Sequence, residues 1–167
     1  MAHKGIANLS ASVLRDEIKA KFGGTSSYEP ITGEYWVYKT ATAPTSPGTI
    51  FGTADDFIQN AGAVATDDEV KWIAIKNLGY TEIAKTNKTA QGIMINWAGA
   101  DPIYNGTDGN DNNNIIIGPG EMFVARLNGV LVEDLRVGSI ITSATGQSSA
   151  QGTDTVAYIT AAIIKDV

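Results

Sequence analysis

The sequence contains no cysteine and a single histidine, His3, in 167 residues. Without cysteine there is no disulfide framework, no thiol nucleophile and no thiolate metal site. One histidine at the start of the chain leaves nothing from which to build a histidine cluster or a buried Ser–His–Asp triad. Basic residues are also scarce, with twelve Lys and Arg against eighteen Asp and Glu and a net charge of −6. That balance argues against nucleic acid as a partner, because a phosphate backbone calls for a concentrated basic surface. No stretch approaches the roughly 18 apolar residues of a membrane span, and the longest runs, Ile115-Ile116-Ile117 and residues 160–164, are strand-sized. Met1-Ala2-His3-Lys4-Gly5-Ile6 lacks the apolar run of a secretory signal, so a soluble protein made in the cytoplasm is expected. These exclusions point away from an enzyme.

What is present suits one globular domain, or a domain with a short arm: 43% of residues are hydrophobic and 18% charged. Residues 8–22 carry a helical pattern, with Leu14, Ile18 and Phe22 at i, i+4 and i+8 and Ala11 on the same side. Ser10 or Ser12 is the N-cap and Gly23-Gly24 the stop. Such a helix has about three turns, too few to persist alone in water, so its apolar stripe must dock. It docks either on its own domain or on a neighbouring subunit. Gly23 to Ser27 has the composition of a phosphate loop, but it follows the helix and lacks the Gly-Lys-Ser/Thr ending.

Residues 25–68 are rich in Thr, Ser, Gly, Pro and Ala and read as extended chain, with one strong strand from Glu34 to Thr40. Asp55-Asp56-Phe57-Ile58 reads as a short helical turn on a long loop. From Glu69 onward the pattern is β throughout. Val70 to Ile75, Ile93 to Trp97, Ile115 to Ile117, Met122 to Leu127, Val137 to Thr142 and Asp154 to Lys165 are strands, and Asn128-Gly129 is a hairpin turn. With a weak strand at Thr49-Ile50-Phe51, that makes seven or eight short strands with no helix between them. The expected fold is therefore an all-β antiparallel sandwich, jelly-roll-like, with a short N-terminal helix and extended arm. Residues 1–68 form the arm region and residues 69–167 the body.

Few residues look chemical. Asn105 to Asn114 is dense in Asn, Asp and Gly, and Asp108 and Asp111 are hard oxygen ligands of the kind calcium takes. The bidentate Glu of a calcium loop is missing, because its position falls on Pro119. The same residue types dominate ordinary turns. Glu121 follows a Gly-Pro-Gly turn with no complementary group nearby; a hydrolase would need it to converge with a second acid such as Asp134. Glu133-Asp134 with Arg136 reads as a solvated edge with a local ion pair. Tyr28, Tyr35, Trp36, Tyr38, Trp72, Trp97 and Tyr104 are either core and subunit anchors or the stacking platform of a carbohydrate-binding module. No cofactor or metal is assigned.

Two short motifs carry a resemblance. Glu69 to Gly79 is a strand ending in Lys76-Asn77-Leu78-Gly79, and about forty residues later comes Ile115-Ile116-Ile117-Gly118-Pro119-Gly120-Glu121. This arrangement resembles small β-sandwich virion proteins of tailed bacteriophages, above all head decoration (cement) proteins, over residues 69–142. The Pro-Gly-Glu turn also occurs in cupins, but those bind metal with several histidines. The resemblance implies a non-enzymatic protein that binds the major capsid protein on the outer capsid surface and bridges its subunits, commonly as a homotrimer. A tail, neck or fibre component belongs to the same class. On this reading Leu14, Ile18, Phe22, Tyr35, Trp36 and Tyr38 are the candidate subunit and capsid contacts.

Overall fold

A computed structural model describes residues 5–15, 18–58, 62–99, 114–142 and 149–167, and none of these is helical. The chain divides into two compact units, Met1–Thr32 and Gly33–Val167.

The first unit is a two-stranded antiparallel hairpin, β1 (Gly5–Arg15) and β2 (Ile18–Tyr28). It replaces the helix expected over residues 8–22. The Leu14, Ile18, Phe22 spacing is broken by the reversal, since the register pairs Leu14 with Lys19 and Ile18 with Arg15. The sequence between 7 and 13 decides the matter, because Ala7, Leu9, Ala11 and Val13 alternate with Asn8, Ser10 and Ser12. That is the period of two of a strand with one polar side. The register pairs Leu9, Ala11 and Val13 with Gly24, Phe22 and Ala20, and Asn8 with Thr25. In the polar set, Asn8 and Thr25 are exposed and the Thr25 hydroxyl donates to Asn8 Oδ1 at 2.8 Å.

The second unit is built from nine strands: β3 (Glu34–Ala43), β4 (Gly48–Thr49), β5 (Glu69–Asn77), β6 (Gly92–Asn96), β7 (Asn114–Ile117), β8 (Met122–Leu131), β9 (Arg136–Thr142), β10 (Ser149–Gln151) and β11 (Val156–Lys165). They form two antiparallel sheets, one in the order β3-β11-β5-β8, the other β10-β9-β6-β7 with β4 also on β9. The pairs are nested: β3 with β11, β4 with β9, β5 with β8 and β6 with β7. The chain is thus one long antiparallel ribbon, doubled back between β6 and β7, whose successive pairs fall alternately in the two sheets. Further pairings of β11 with β5 and of β6 with β9 close each sheet.

Alternation along the strands aims one face of each sheet at a shared core. Val37, Ile73, Ile75, Tyr158 and Ile164 of the first sheet join Ile93, Ile95, Ile117 and Val137 of the second in one buried cluster. Each such aliphatic side chain contributes about 1.5–3 kcal/mol on burial. Phe51, Phe57 and Val64 add to the cluster from the chain between β4 and β5. That stretch is not the helical turn expected at 55–58, since Asp56 bridges to Ala63 in antiparallel fashion. It is pinned by Asp55, whose carboxylate takes the Lys39 ammonium at 2.8 Å and the Gly52 amide at 2.9 Å. The Ile58 amide donates to the Trp36 carbonyl on the edge of β3. Burial pushes the Tyr158 phenol well above its ordinary pKa, and the charge of Asp55 pushes the same way.

The strands expected from sequence lie where the patterns put them, except that β8 runs through Asn128-Gly129. The register jumps from Val70↔Val130 to Trp72↔Arg126, and Gly129 takes φ +69°. A bulge absorbs the dipeptide, because glycine accepts the left-handed angle such an irregularity needs. The reversal follows Leu131, whose carbonyl takes the Asp134 amide.

The two motifs of the resemblance meet at one corner. Asn77, fully buried at the end of β5, donates from Nδ2 to the Ile117 carbonyl at 3.1 Å and the Gln91 carbonyl at 3.3 Å. Its Oδ1 accepts from the Gly79 amide at 2.8 Å, while its backbone pairs with Gly120 and Glu121. Gly79 sits at φ +75°, and a Cβ there would touch Pro119 at 3.4 Å. One side chain thus joins the end of a strand in the first sheet to the ends of β6 and β7 in the second. Buried carbonyls left without donors cost roughly 1–3 kcal/mol each. Asn77→Ala should therefore lower unfolding free energy by about 2–4 kcal/mol in urea titration; a loss below about 1 kcal/mol would show that the corner is held by its turns alone.

Candidate functional site

The face of the β3-β11-β5-β8 sheet that points away from the core carries two of the six expected contact residues, Trp36 and Tyr38. Successive cross-strand rows on this face are Trp36, Ile163, Trp72 and Arg126, then Tyr38, Ala161, Ala74 and Val124, then Thr40, Ile159, Lys76 and Met122. Ten of these twelve positions carry no charge, which is unusual for a side of a sheet turned from its core. The first row is closed off: the Trp36 and Trp72 rings meet edge to face, centroids 5.6 Å apart, and Trp72 is only 4% exposed.

The other two rows are open. Ala74 and Ala161 are too small to fill the space between their neighbours, which leaves an apolar trough of about 210 Å³. Tyr38 walls it from β3 and Met122 from β8, and both are about half exposed, at 54% and 47%. Ile159 and Lys76 close one end. The trough is smaller than the roughly 300–1,000 Å³ of a small-molecule site. At the far end of β5, Glu69 accepts from Lys71 with Lys165 4.0 Å away. The Lys71 hydrogen bond, helped by the charges of both lysines, holds the Glu69 carboxyl below its usual range.

The six expected contact residues separate between the two units. Leu14 lies in β1, and Ile18 and Phe22 lie in β2. Tyr35 faces inward, tilted against Phe57 at 5.2 Å and packed on the core. Trp36 is half-buried on Trp72, and Tyr38 alone among the three β3 aromatics is exposed. The residues that complete the trough, Ala74, Ala161, Ile159 and Met122, were not singled out from sequence. Their signal was available as apolar residues at both parities of β5 and β11.

A sugar-stacking platform needs two or more exposed, coplanar rings. Of the described candidates only Tyr38 is exposed; Trp72 is buried, and Trp97 is half-buried and stacks on Phe123 at 6.2 Å. Tyr104 lies outside the described residues, as does the Asn-rich stretch through Asn113 with Asp108 and Asp111. Asn114 takes the Asn96 amide at 2.8 Å. Among the described residues no three His, Cys, Asp or Glu side chains gather as a metal site would require. Glu121 serves its own turn, its carboxylate accepting the Gly118 amide at 2.7 Å. Asp134 lies beyond the opposite end of β8, a ten-residue strand, so the two acids stand roughly 30 Å apart. Arg136 reaches back to the Pro47 carbonyl at 3.5 Å.

Compared with protein families, curated proteins and solved structures, the chain matches none.

The two kinds of aromatic on this face differ in what they do for the fold. Trp72→Ala should cost about 3–5 kcal/mol of unfolding free energy, whereas Tyr38→Ala should cost less than about 1 kcal/mol. Comparable losses for the two would mean that Tyr38 belongs to the core rather than to an open surface.

Proposed function

We propose that this chain is a non-enzymatic structural protein of a bacteriophage virion. In this reading it is a head decoration protein that attaches to the outer capsid lattice, bridges neighbouring copies of the major capsid protein and assembles as a homotrimer. The observation that carries the reading is the strand order. Numbering the eight ribbon strands β3 to β9 and β11 from one to eight, the sheets run 1-8-3-6 and 2-7-4-5. That is the order of a jelly roll, a ribbon rolled into two sheets, and we read the body as one. Jelly rolls recur in viral capsid proteins, and that recurrence supports the virion reading.

Three further features favour a protein that works by surface contact. The hairpin and the body are separate compact units, which suits a chain that touches more than one neighbour. An apolar trough with a half-exposed tyrosine and methionine is open on one sheet. Glu121 and Asp134, the acids a hydrolase would pair, sit at opposite ends of one strand. Single contacts of this size bind weakly, but several copies linked on a lattice hold by multivalency.

The test is a particle experiment. Virions assembled without the protein should keep their capsid shape but release their contents at lower temperature or lower salt, and adding the purified protein back should restore resistance. Unchanged resistance in its absence would remove the proposed role.

A further inference from the structure

We propose that Asn128 is a site of spontaneous modification, where the side chain closes on the Gly129 amide and ends as isoaspartate or aspartate. The modification is independent of the proposed function, since it needs only the chain and water.

The chemistry is ring closure followed by hydrolysis. The Gly129 backbone nitrogen attacks Asn128 Cγ. A new N–Cγ bond forms as the Cγ–Nδ2 bond breaks, and the Gly129 amide proton leaves with ammonia. Water then opens the cyclic imide. Attack at Cγ restores the ordinary chain with aspartate at position 128, whereas attack at the backbone carbonyl leaves the chain running through the side chain, as isoaspartate. Nothing is oxidised or reduced.

The bulge in β8 permits the closure. The register passes from Val70↔Val130 to Trp72↔Arg126, so Leu127, Asn128 and Gly129 together face Lys71 and stand outside the ladder. Regular pairing fixes the backbone rotation that closure requires, and a bulge disrupts that pairing locally. Gly129 has φ +69° and open space where a Cβ would stand, so no side chain obstructs the attacking nitrogen. Both residues are exposed to water, and the Asn128 carboxamide has no hydrogen-bond partner among the described residues.

The other described asparagines lack this combination. Asn77 and Asn96 are buried and precede Leu78 and Trp97. Asn8 and Asn114 each accept a side-chain hydrogen bond and precede Leu9 and Ile115. Asn87 is exposed, but its Nδ2 donates to Glu82 Oε1 at 2.9 Å and Lys88 follows it.

The product is tolerated where it forms. Isoaspartate lengthens the main chain within a stretch already longer than its partner, so the flanking pairs Val70↔Val130 and Trp72↔Arg126 keep their register. Either product adds one negative charge to a chain of net charge −6. The new carboxylate stands two residues from the exposed Arg126, in the stretch facing Lys71, whose ammonium is held by Glu69.

The experiment is peptide mapping by mass spectrometry of the folded full-length chain stored in neutral buffer, beside the same chain unfolded in urea. In the folded chain the peptide holding Asn128 should gain the mass difference between an amide and a carboxylate and separate into aspartate and isoaspartate forms. Asn8, Asn77, Asn87, Asn96 and Asn114 should stay intact over that time. Asn105-Gly106 lies outside the described residues, and mapping by peptide keeps any change there apart. Asn128 that stays intact in the folded chain while it converts in urea would overturn the proposal. So would aspartate without isoaspartate, the mark of direct hydrolysis, or earlier conversion at any of the other described asparagines. Asn128→Gln, whose longer side chain closes a larger ring more slowly, should leave the peptide unchanged; conversion at the wild-type rate would overturn the role of ring closure. Storage should shift the urea midpoint of the wild-type chain no more than that of Asn128→Gln, and a larger fall would overturn the tolerance assigned to the bulge.

Discussion

The structure of the body depends on the pairing of its first long strand with its last. β3 and β11 align over ten residues, from Val156↔Ala43 to Lys165↔Glu34, and every other ribbon pair lies inside that span. Once the outer pair is fixed, β4 must meet β9 and β5 must meet β8 for the ribbon to continue. Alternation of pairs between sheets then leaves β11 between β3 and β5, where its two faces serve different purposes. Val156, Tyr158, Ala162 and Ile164 enter the core, while Ile159 and Ala161 line the open trough. Contacts between residues this far apart in sequence close late, so folding on the millisecond-to-second scale of β-sandwiches is the physical expectation.

A rolled ribbon needs something to hold one sheet against the other beyond apolar contact, since hydrophobic burial has no preferred direction. Asn77 supplies direction. It satisfies carbonyls on both sides of the corner and takes the Gly79 amide, so the turn after β5 and the chain at Ile117 have one relative position. This explains physically why the Lys-Asn-Leu-Gly and Gly-Pro-Gly-Glu motifs occur together forty residues apart. They are the two halves of one joint, and Glu121 is spent on closing its own turn. The motif residues are architectural, so a carboxylate at a glycine turn is not by itself a catalytic sign.

Much of the body was legible in the sequence because its strands obey a period of two and are bounded by Gly, Pro and Asn. The hairpin was not, because Leu14, Ile18 and Phe22 match a helical spacing across what is a chain reversal, and the short alternation from Ala7 to Val13 carried the deciding information. Asn128-Gly129 showed a true local preference for a left-handed angle, but tertiary pairing on both sides of it turned the expected reversal into a bulge. The trough was hidden for a different reason. Trp72 and Tyr38 lie on the same face of the same sheet, and only the cross-strand register reveals that Trp36 covers one while two alanines leave the other open. Register joins residues more than eighty positions apart, and no local pattern encodes it.

Among the described residues the body presents an apolar trough on the outer face of one sheet, and the hairpin forms a compact unit of its own. On the proposed reading, linked weak contacts would supply strength on a lattice. The most direct measurement is electron cryo-microscopy of native particles. The account predicts density on the outer capsid surface, arranged about local three-fold axes, into which the body of residues 33–167 fits while touching more than one capsid subunit. Particles whose capsid exterior lacks that density, or that carry it only on the tail, would contradict it.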